Sequence, residues 1–376
     1  MKIIIDISQI VHGVGVSVYT ANLVRGLARV DKKNEYLLLG TSLRKRSLLE
    51  KFTTEVAQIN PNFKNRIFPW PITVAEIWAN RWRFGFLENL VGLVDVYHSS
   101  DWLQIPSQAA KVTTIHDLAY YHYPWATHEK ILKVMRRKLR LVEKEVDRII
   151  AVSQTTVKDA HGFLQIPLEK IDLIYEAAGE EFKQVSKSVT TKVKKKYKIK
   201  SPYLLAVATL EPRKNFTQIF QAFVEFLKNN PGFSLVVVGK MGWDLMAQMV
   251  GRRIPQVVFT GFVPTSDLVA LYNGAWAFLF PSLYEGFGLP VLEAMACGCP
   301  VITSNVSSLP EIGGKSALLV DPLRTEPLVK ALEEMKLRRE ELIKRGLKRA
   351  RKFSWDQTAI QTIKVYEKAF RFRKNL

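Results

Sequence analysis

Residues 275–304 read AWAFLFPSLYEGFGLPVLEAMACGCPVITS. The apolar run that ends at Pro281 fits a strand buried on both faces. Pro290 suits a helix start and Gly298 a helix stop, so the spacing predicts a helix over 291–297 with Glu293 in its first turn. PVITS supplies a second buried strand. The order strand, glycine loop, helix, strand leaves Glu285 just past a strand's carboxyl end, where nothing local requires a charge. It leaves Glu293 at the helix mouth, where a carboxylate either complements the helix dipole or accepts hydrogen bonds from vicinal hydroxyls such as those of a ribose.

The same alternation runs outward in both directions. KIIIDI, EYLLLG, DVYHSS, KVTTIHD, RIIAVS and KIDLIY precede a lysine-rich stretch, and YLLAVAT, SLVVVGK, QVVFTGF, AWAFLFP and PVITS follow it. Helical segments intervene: over 216–227 the apolar positions 216, 219, 220, 223, 226 and 227 lie on one helical face. The pattern predicts an α/β protein of two doubly wound domains with mainly parallel sheets. The expected divisions are a first domain over 1–182, a basic linker over 183–200, a second domain over 201–354, and a terminal helix over 355–376 packing back towards the first domain.

At 376 residues and 47% apolar content the chain can build two cores. MKIIIDIS fits a first strand and not a secretory signal, and no apolar stretch reaches the roughly 18 residues of a membrane span. Cys297 and Cys299 stand too close for an ordinary disulfide and lack metal-site spacing, as expected of buried thiols in a reducing cytoplasm. The formal charge of +20 admits nucleic acid, anionic lipid or phosphate-bearing small molecules as partners. Part of that charge sits in 129–145, EKILKVMRRKLRLVEKE, where Lys130, Lys133, Arg136, Arg137, Lys138 and Arg140 alternate with apolar residues and no acid intervenes before Glu143. A helix there is expected to turn its apolar residues inward and most of its cations outward, either to water or to an anionic lipid surface.

Ligands of open α/β sheets bind beyond the carboxyl ends of the strands. In the first half those ends carry HGVGVS, His98 and the pair His116 and Asp117. In the second they carry EPRKN with Arg213 and Lys214, then Gly239 and Lys240, Gly261, and the Glu285 loop. This set suits a phosphorylated ligand. His12, His98, His122, His128 and His161 are read as structural or surface residues, Asp6 as a brace for the first loop, and Trp70, Trp78 and Trp82 as packing residues or an acceptor groove.

These stretches resemble the retaining glycosyltransferases of family 4. EGFGLPVLEAMACGCPVI is similar to their E-x7-E signature, and GVGVSVYTANLVRGLA, TIHDLAYYHYP, ATLEPRKN and FSWDQTAIQTIKVYEKA agree in order over nearly the whole chain. The resemblance implies the GT-B fold, two Rossmann-like domains facing each other across a cleft. HDLAYYHYP and LEPRKN look most like mannosyltransferases and related enzymes of O-antigen and polysaccharide assembly. By resemblance, Glu293 binds the nucleotide ribose, Glu285 a sugar hydroxyl, and the amides of Phe287, Gly288 and Leu289 the sugar and diphosphate. Lys214 neutralises the diphosphate, and Arg213 stands in for an arginine that the family carries where Ala208 and Thr209 stand here. His116 lies near the transferred sugar, Gly13 and Gly15 form the loop over the diphosphate, and Gly261 joins the donor-binding set.

The expected reaction is metal-independent, retaining transfer of a hexose, mannose favoured, from a GDP- or UDP-linked sugar to a saccharide or lipid-linked acceptor. It needs no cofactor beyond that substrate, and the sequence has no Asp-x-Asp triplet. The expected location is cytoplasmic, free or peripheral on the inner face of the membrane. A nucleotide-sugar epimerase or a phosphorylase would share the fold, although a phosphorylase calls for a pyridoxal-phosphate lysine and a longer chain. A basic nucleic-acid-binding protein calls for interleaved exposed aromatics or a known binding module, and neither is evident.

Overall fold

A computed structural model describes residues 1–13, 15–127, 129–200 and 202–375, without the side chain of Lys130. His128 and the Lys130 side chain therefore lie outside the described residues. The chain forms two compact units, residues 1–176 with 354–376, and residues 177–353.

The first unit is built on a parallel sheet in the order β3-β2-β1-β4-β5-β6-β7. The strands are β1 Lys2–Asp6, β2 Glu35–Thr41, β3 Phe63–Phe68, β4 Val96–Ser99, β5 Ala110–Ile115, β6 Arg148–Ala151 and β7 Ile171–Leu173. The second unit has the order β10-β9-β8-β11-β12-β13, again all parallel. Its strands are β8 Tyr203–Val207, β9 Ser234–Val238, β10 Val257–Gly261, β11 Ala277–Phe280, β12 Val301–Ser304 and β13 Ala317–Val320. Both orders reverse direction once, between β1 and β4 and between β8 and β11, and such a reversal opens a crevice at the strands' carboxyl ends.

The main helices flanking these sheets are α1 Val16–Val30, α2 Glu129–Glu145, α3 Lys187–Lys196, α4 Phe216–Leu227, α5 Leu289–Ala296, α6 Thr325–Ala350 and α7 Trp355–Lys374. The periodic apolar face of α4 is buried at Phe216, Ile219, Phe220, Phe223 and Phe226, against Leu204, Leu235 and Leu332 of the second core. Helix α7 belongs to the first unit, where it packs on α1: a Cβ at Gly26 would stand 2.7 Å from the Trp355 carbonyl. Tyr366 of α7 also bonds His98.

The structure departs from the sequence reading at several points. The first unit ends at residue 176, not 182, and 183–200 is no free linker. The lysine run carries apolar residues at helical spacing, so it folds as α3, buries Val193 and ties Lys196 and Tyr197 to Asp267 at 2.6 and 2.7 Å. Strand β3 escapes the alternation because FKNRIF keeps a polar, exposed middle at a sheet edge, and the short apolar β13, ALLV, lies outside the strands expected from the sequence. Helix α5 starts at Leu289, since Gly288 at φ +107° lets the chain enter the helix directly. Glu293 is thus its fifth residue and lies beyond the first turn.

Helix α2 turns Met135, Leu139 and Val142 inward, and with them Lys138, only 2% exposed. Lys138 Nζ donates to Thr113 Oγ1 at 2.7 Å. Nor are all the other cations unpaired: Lys133 meets Glu129 and Arg137 meets Glu76, at 2.5 and 2.9 Å. Arg136 and Arg140 are exposed.

Candidate active site

In the second unit the β8 and β11 exits are adjacent because those strands pair at the reversal. A short turn, Pro212–Lys214, closes on Asn215 in the left-handed conformation, and the Asn215 amide donates to the carbonyls of Pro281 and Pro322 at 3.0 and 2.6 Å. The Leu283 amide donates to the Arg213 carbonyl at 2.9 Å. These bonds join the loop that carries the cations to the loop that carries Glu285.

The carboxylate of Glu285 meets both cations, Lys214 Nζ at 2.6 Å and Arg213 Nη1 at 3.1 Å. Arg213 also donates to the Tyr284 carbonyl and, at 2.7 Å, to Glu211. Glu285 is 8% exposed. Burial alone would raise its pKa, but Lys214 and Arg213 outweigh burial and hold it at about 2. The backbone is pinned as well: Ser307 accepts from the Glu285 amide, and the Ser308 hydroxyl donates to the carbonyls of Glu285 and Phe287.

Glu293 has a different environment. Its side chain is partly exposed and accepts from the Tyr272 hydroxyl at 3.3 Å. Burial pushes its pKa up to about 8, and the charge of Glu181 adds to the shift. The two carboxyls of the E-x7-E pair are therefore held in opposite states near neutrality, Glu285 ionised and Glu293 largely protonated. Between them Phe287 is buried, Gly288 caps α5, and Leu289 opens that helix. Gly261 ends β10 at φ +69°, and its carbonyl accepts from the Gly239 amide at 3.0 Å.

In the first unit His116 follows β5. Its Nδ1 lies 3.2 Å from Glu176 Oε1, and its ring meets Tyr19 edge-on at 4.5 Å. Burial pushes the imidazole pKa down, but Glu176, Asp101 and Asp117 outweigh that and raise it. Asp117 also caps the following turn through the Ala119 amide. His98 contrasts with His116. Both its nitrogens are bonded, to Tyr366 and Thr114, and burial lowers its pKa to about 3, so it is a structural neutral histidine. Asp6 braces the first loop through the Ser8 amide, and Gly13 and Gly15 both take positive φ, with the Gly13 amide on Ser17 Oγ. Trp78 is partly buried in the first core, whereas Trp82 is 63% exposed and does not act as core packing.

The sequence reading missed Glu176, Tyr19, Glu211 and the inward-facing Lys138. Glu176 was within reach of the strand-end argument, since IYE places it just beyond β7. Glu211 and Tyr19 had no comparable signal.

Two family models match the chain, Glycosyltransferase Family 4 over residues 14–178 and Glycosyl transferases group 1 over residues 189–353. The O-antigen chain mannosyltransferase B of Escherichia coli is 32% identical over 282 residues, 72% of this chain and 74% of that protein. The serotype-specific mannosyltransferase WbdA of Escherichia coli is 34% identical over 58% of this chain, and the match spans only 29% of WbdA's length. Among solved structures, Anabaena HepE in complex with UDP and glucose superposes with a TM-score of 0.72 at 16% identity, covering 98% of this chain and 100% of that one. That likeness confirms the two-sheet GT-B fold. Identity of 32% through about three quarters of each chain, with both family models in register with the two units, makes this protein a member of glycosyltransferase family 4 and so a glycosyltransferase.

Proposed function

We propose that the protein transfers mannose from a GDP- or UDP-linked donor to a saccharide or lipid-linked acceptor in cell-surface polysaccharide synthesis, with retention and without metal. The observation that carries the reading is the convergence of Arg213 and Lys214 on Glu285 at a sheet reversal. Breaking the bond between the anomeric carbon and phosphate leaves a negative diphosphate and an oxocarbenium-like sugar. Arg213, Lys214 and the amides of Phe287, Gly288 and Leu289 stabilise the leaving diphosphate, a contribution worth about 3 kcal/mol per preorganised donor. Glu285, ionised at every working pH, accepts from a sugar hydroxyl. Glu293 accepts from the ribose hydroxyls. In the first unit His116 contacts the transferred sugar, and Gly13 and Gly15 shape the loop for the diphosphate. Retention follows if the acceptor hydroxyl attacks from the face the diphosphate leaves and gives its proton to a diphosphate oxygen.

Mannose is favoured because both curated relatives are named mannosyltransferases. A nucleotide diphosphate is favoured because HepE, of the same fold, was solved with UDP. No helix among the described residues is long and apolar enough to cross a membrane. We assign the enzyme to the cytoplasmic face of an anionic membrane, reached through Arg136 and Arg140 of α2. Thermal denaturation against a panel of nucleoside diphosphates, nucleotide sugars and RNA tests the reading. A bound nucleotide at 100 times its Kd adds about 2.7 kcal/mol, and stabilisation by RNA alone would overturn it.

A further inference from the structure

His116 and His98 sit at the ends of adjacent strands, yet only one of them leaves a ring nitrogen open. His98 is bonded at both nitrogens, whereas His116 bonds Glu176 through Nδ1 and Nε2 has no partner among the described residues. Glu176 is 4% exposed. The ring cannot swing freely, because Tyr19 packs edge-on against it and the Tyr19 hydroxyl is itself bonded to Thr114 Oγ1 at 3.1 Å. We propose that Glu176 is a positioning residue that holds His116 by Nδ1–H and presents Nε2–H as a hydrogen-bond donor toward substrate oxygen, not as a base. This deepens the role proposed above for His116 and rests on it.

The chemistry follows from which nitrogen the carboxylate occupies. A neutral imidazole that donates Nδ1–H to Glu176 has a bare, accepting Nε2. Protonation converts Nε2 to a donor, and the surroundings favour it. Around the ring stand Glu176 after β7, Asp101 after β4, Asp117 on its own loop and the neutral Tyr19 of α1, while Lys138 of α2 faces Asp101 and His98. The three carboxylates outweigh the burial that opposes charge. A cationic Nε2–H suits a sugar hydroxyl away from the ring oxygen, which turns electron-poor as the oxocarbenium character develops. It cannot take the acceptor's proton, which leaves that proton to the diphosphate oxygen.

The test is histidine NMR titration beside a pH profile of transfer, in wild type, Glu176→Gln and Glu176→Asp. The glutamine keeps an acceptor for Nδ1–H but removes the charge. It should lower the His116 midpoint by about 1 pH unit or more and move the alkaline limb of kcat/KM down by the same amount. Glu176→Asp should restore both in part, and the His98 signal should stay in place as the control for folding. An unchanged His116 midpoint in Glu176→Gln overturns the pairing itself. A shifted midpoint with an unmoved alkaline limb overturns the donor role. Full activity in His116→Ala would instead overturn the underlying assignment of His116 to the sugar.

Discussion

Lys214 Nζ stands 2.6 Å from Glu285 Oε1, and with Arg213 on the other oxygen the carboxylate is fully matched before any donor arrives. Arg213 and Lys214 are in turn balanced by Glu211 and Glu285, so the quartet is formally neutral. Under the proposed function, a diphosphate would draw the cations from Glu285, and that exchange would release the carboxylate toward the sugar.

Glu285→Gln separates these two effects. With one competing charge removed, nucleoside diphosphate should bind tighter by about 1 kcal/mol, roughly fivefold. Transfer should fall by about 100-fold or more. Calorimetry with the diphosphate beside a turnover assay checks both. Weaker diphosphate binding would contradict the competition.

Glu285 also predicts acid sensitivity. Its pKa is depressed to about 2 from 4.5, so its stabilising contribution is present above about 4.5 and is lost as pH falls toward 2. A contribution on the order of 2 kcal/mol is expected after allowance for relaxation. Denaturant melts of wild type and Glu285→Gln should converge across that window.

Glu293 carries the opposite sign. Its pKa is raised from 4.5 to about 8, so the folded state holds a proton the unfolded state has lost, and the associated stability declines as pH rises from about 4.5 through about 8. Glu293→Gln should remove that decline and leave the ligand-free protein more stable than wild type at pH 8, by on the order of 1–2 kcal/mol. The same variant should lose affinity for nucleoside monophosphate, which shares the ribose. A variant that is stabilised yet binds monophosphate normally would place Glu293 outside the ribose site.

Gly242 lets the loop after β9 press on the loop that carries the cations. A Cβ there would lie 2.2 Å from the Leu210 carbonyl, which accepts from the Asp244 amide. Gly242→Ala should cost about 1–3 kcal/mol of stability and weaken diphosphate binding more than monophosphate binding. Equal loss for both would mean the loops are not coupled through this contact.

Arg136 and Arg140 remain exposed on α2 after Lys138 turns inward. Replacing both with Glu should weaken co-sedimentation with anionic vesicles by about 1 kcal/mol or more for each residue. Wild-type binding should also fall with salt. Equal recovery on neutral and anionic vesicles would exclude the electrostatic docking.

Much of this was legible because parallel strands buried on both faces read as continuous apolar runs, and because the strand-end rule places ligands at loops such as EPRKN and YEGFG. The edge strand β3 follows no such rule, having polar residues where the sheet meets water. The lysine run looked like a linker because its charge hid the one buried valine that seats α3. Lys138 was unreadable for a related reason: the apolar stripe of α2 does not reveal Thr113, Asp6 and Asp101, which face it from distant parts of the sequence. The opposite ionisation of Glu285 and Glu293 likewise depends on surroundings that only the fold assembles, Lys214 and Arg213 for one, burial with the charge of Glu181 for the other.

Under the proposed function, Arg213 and Lys214 supply the positive charge for transfer from a nucleotide-diphosphate sugar. The most direct measurement follows release of nucleoside diphosphate and formation of glycoside by the purified chain, from GDP-mannose and UDP-sugars onto a mannose-terminated acceptor, with excess chelator present. Transfer should nearly equal that without chelator, the product's anomeric configuration should match the donor's, and Lys214→Ala should lose activity. Activity that returns only with added manganese or magnesium, or a product of inverted configuration, would contradict it.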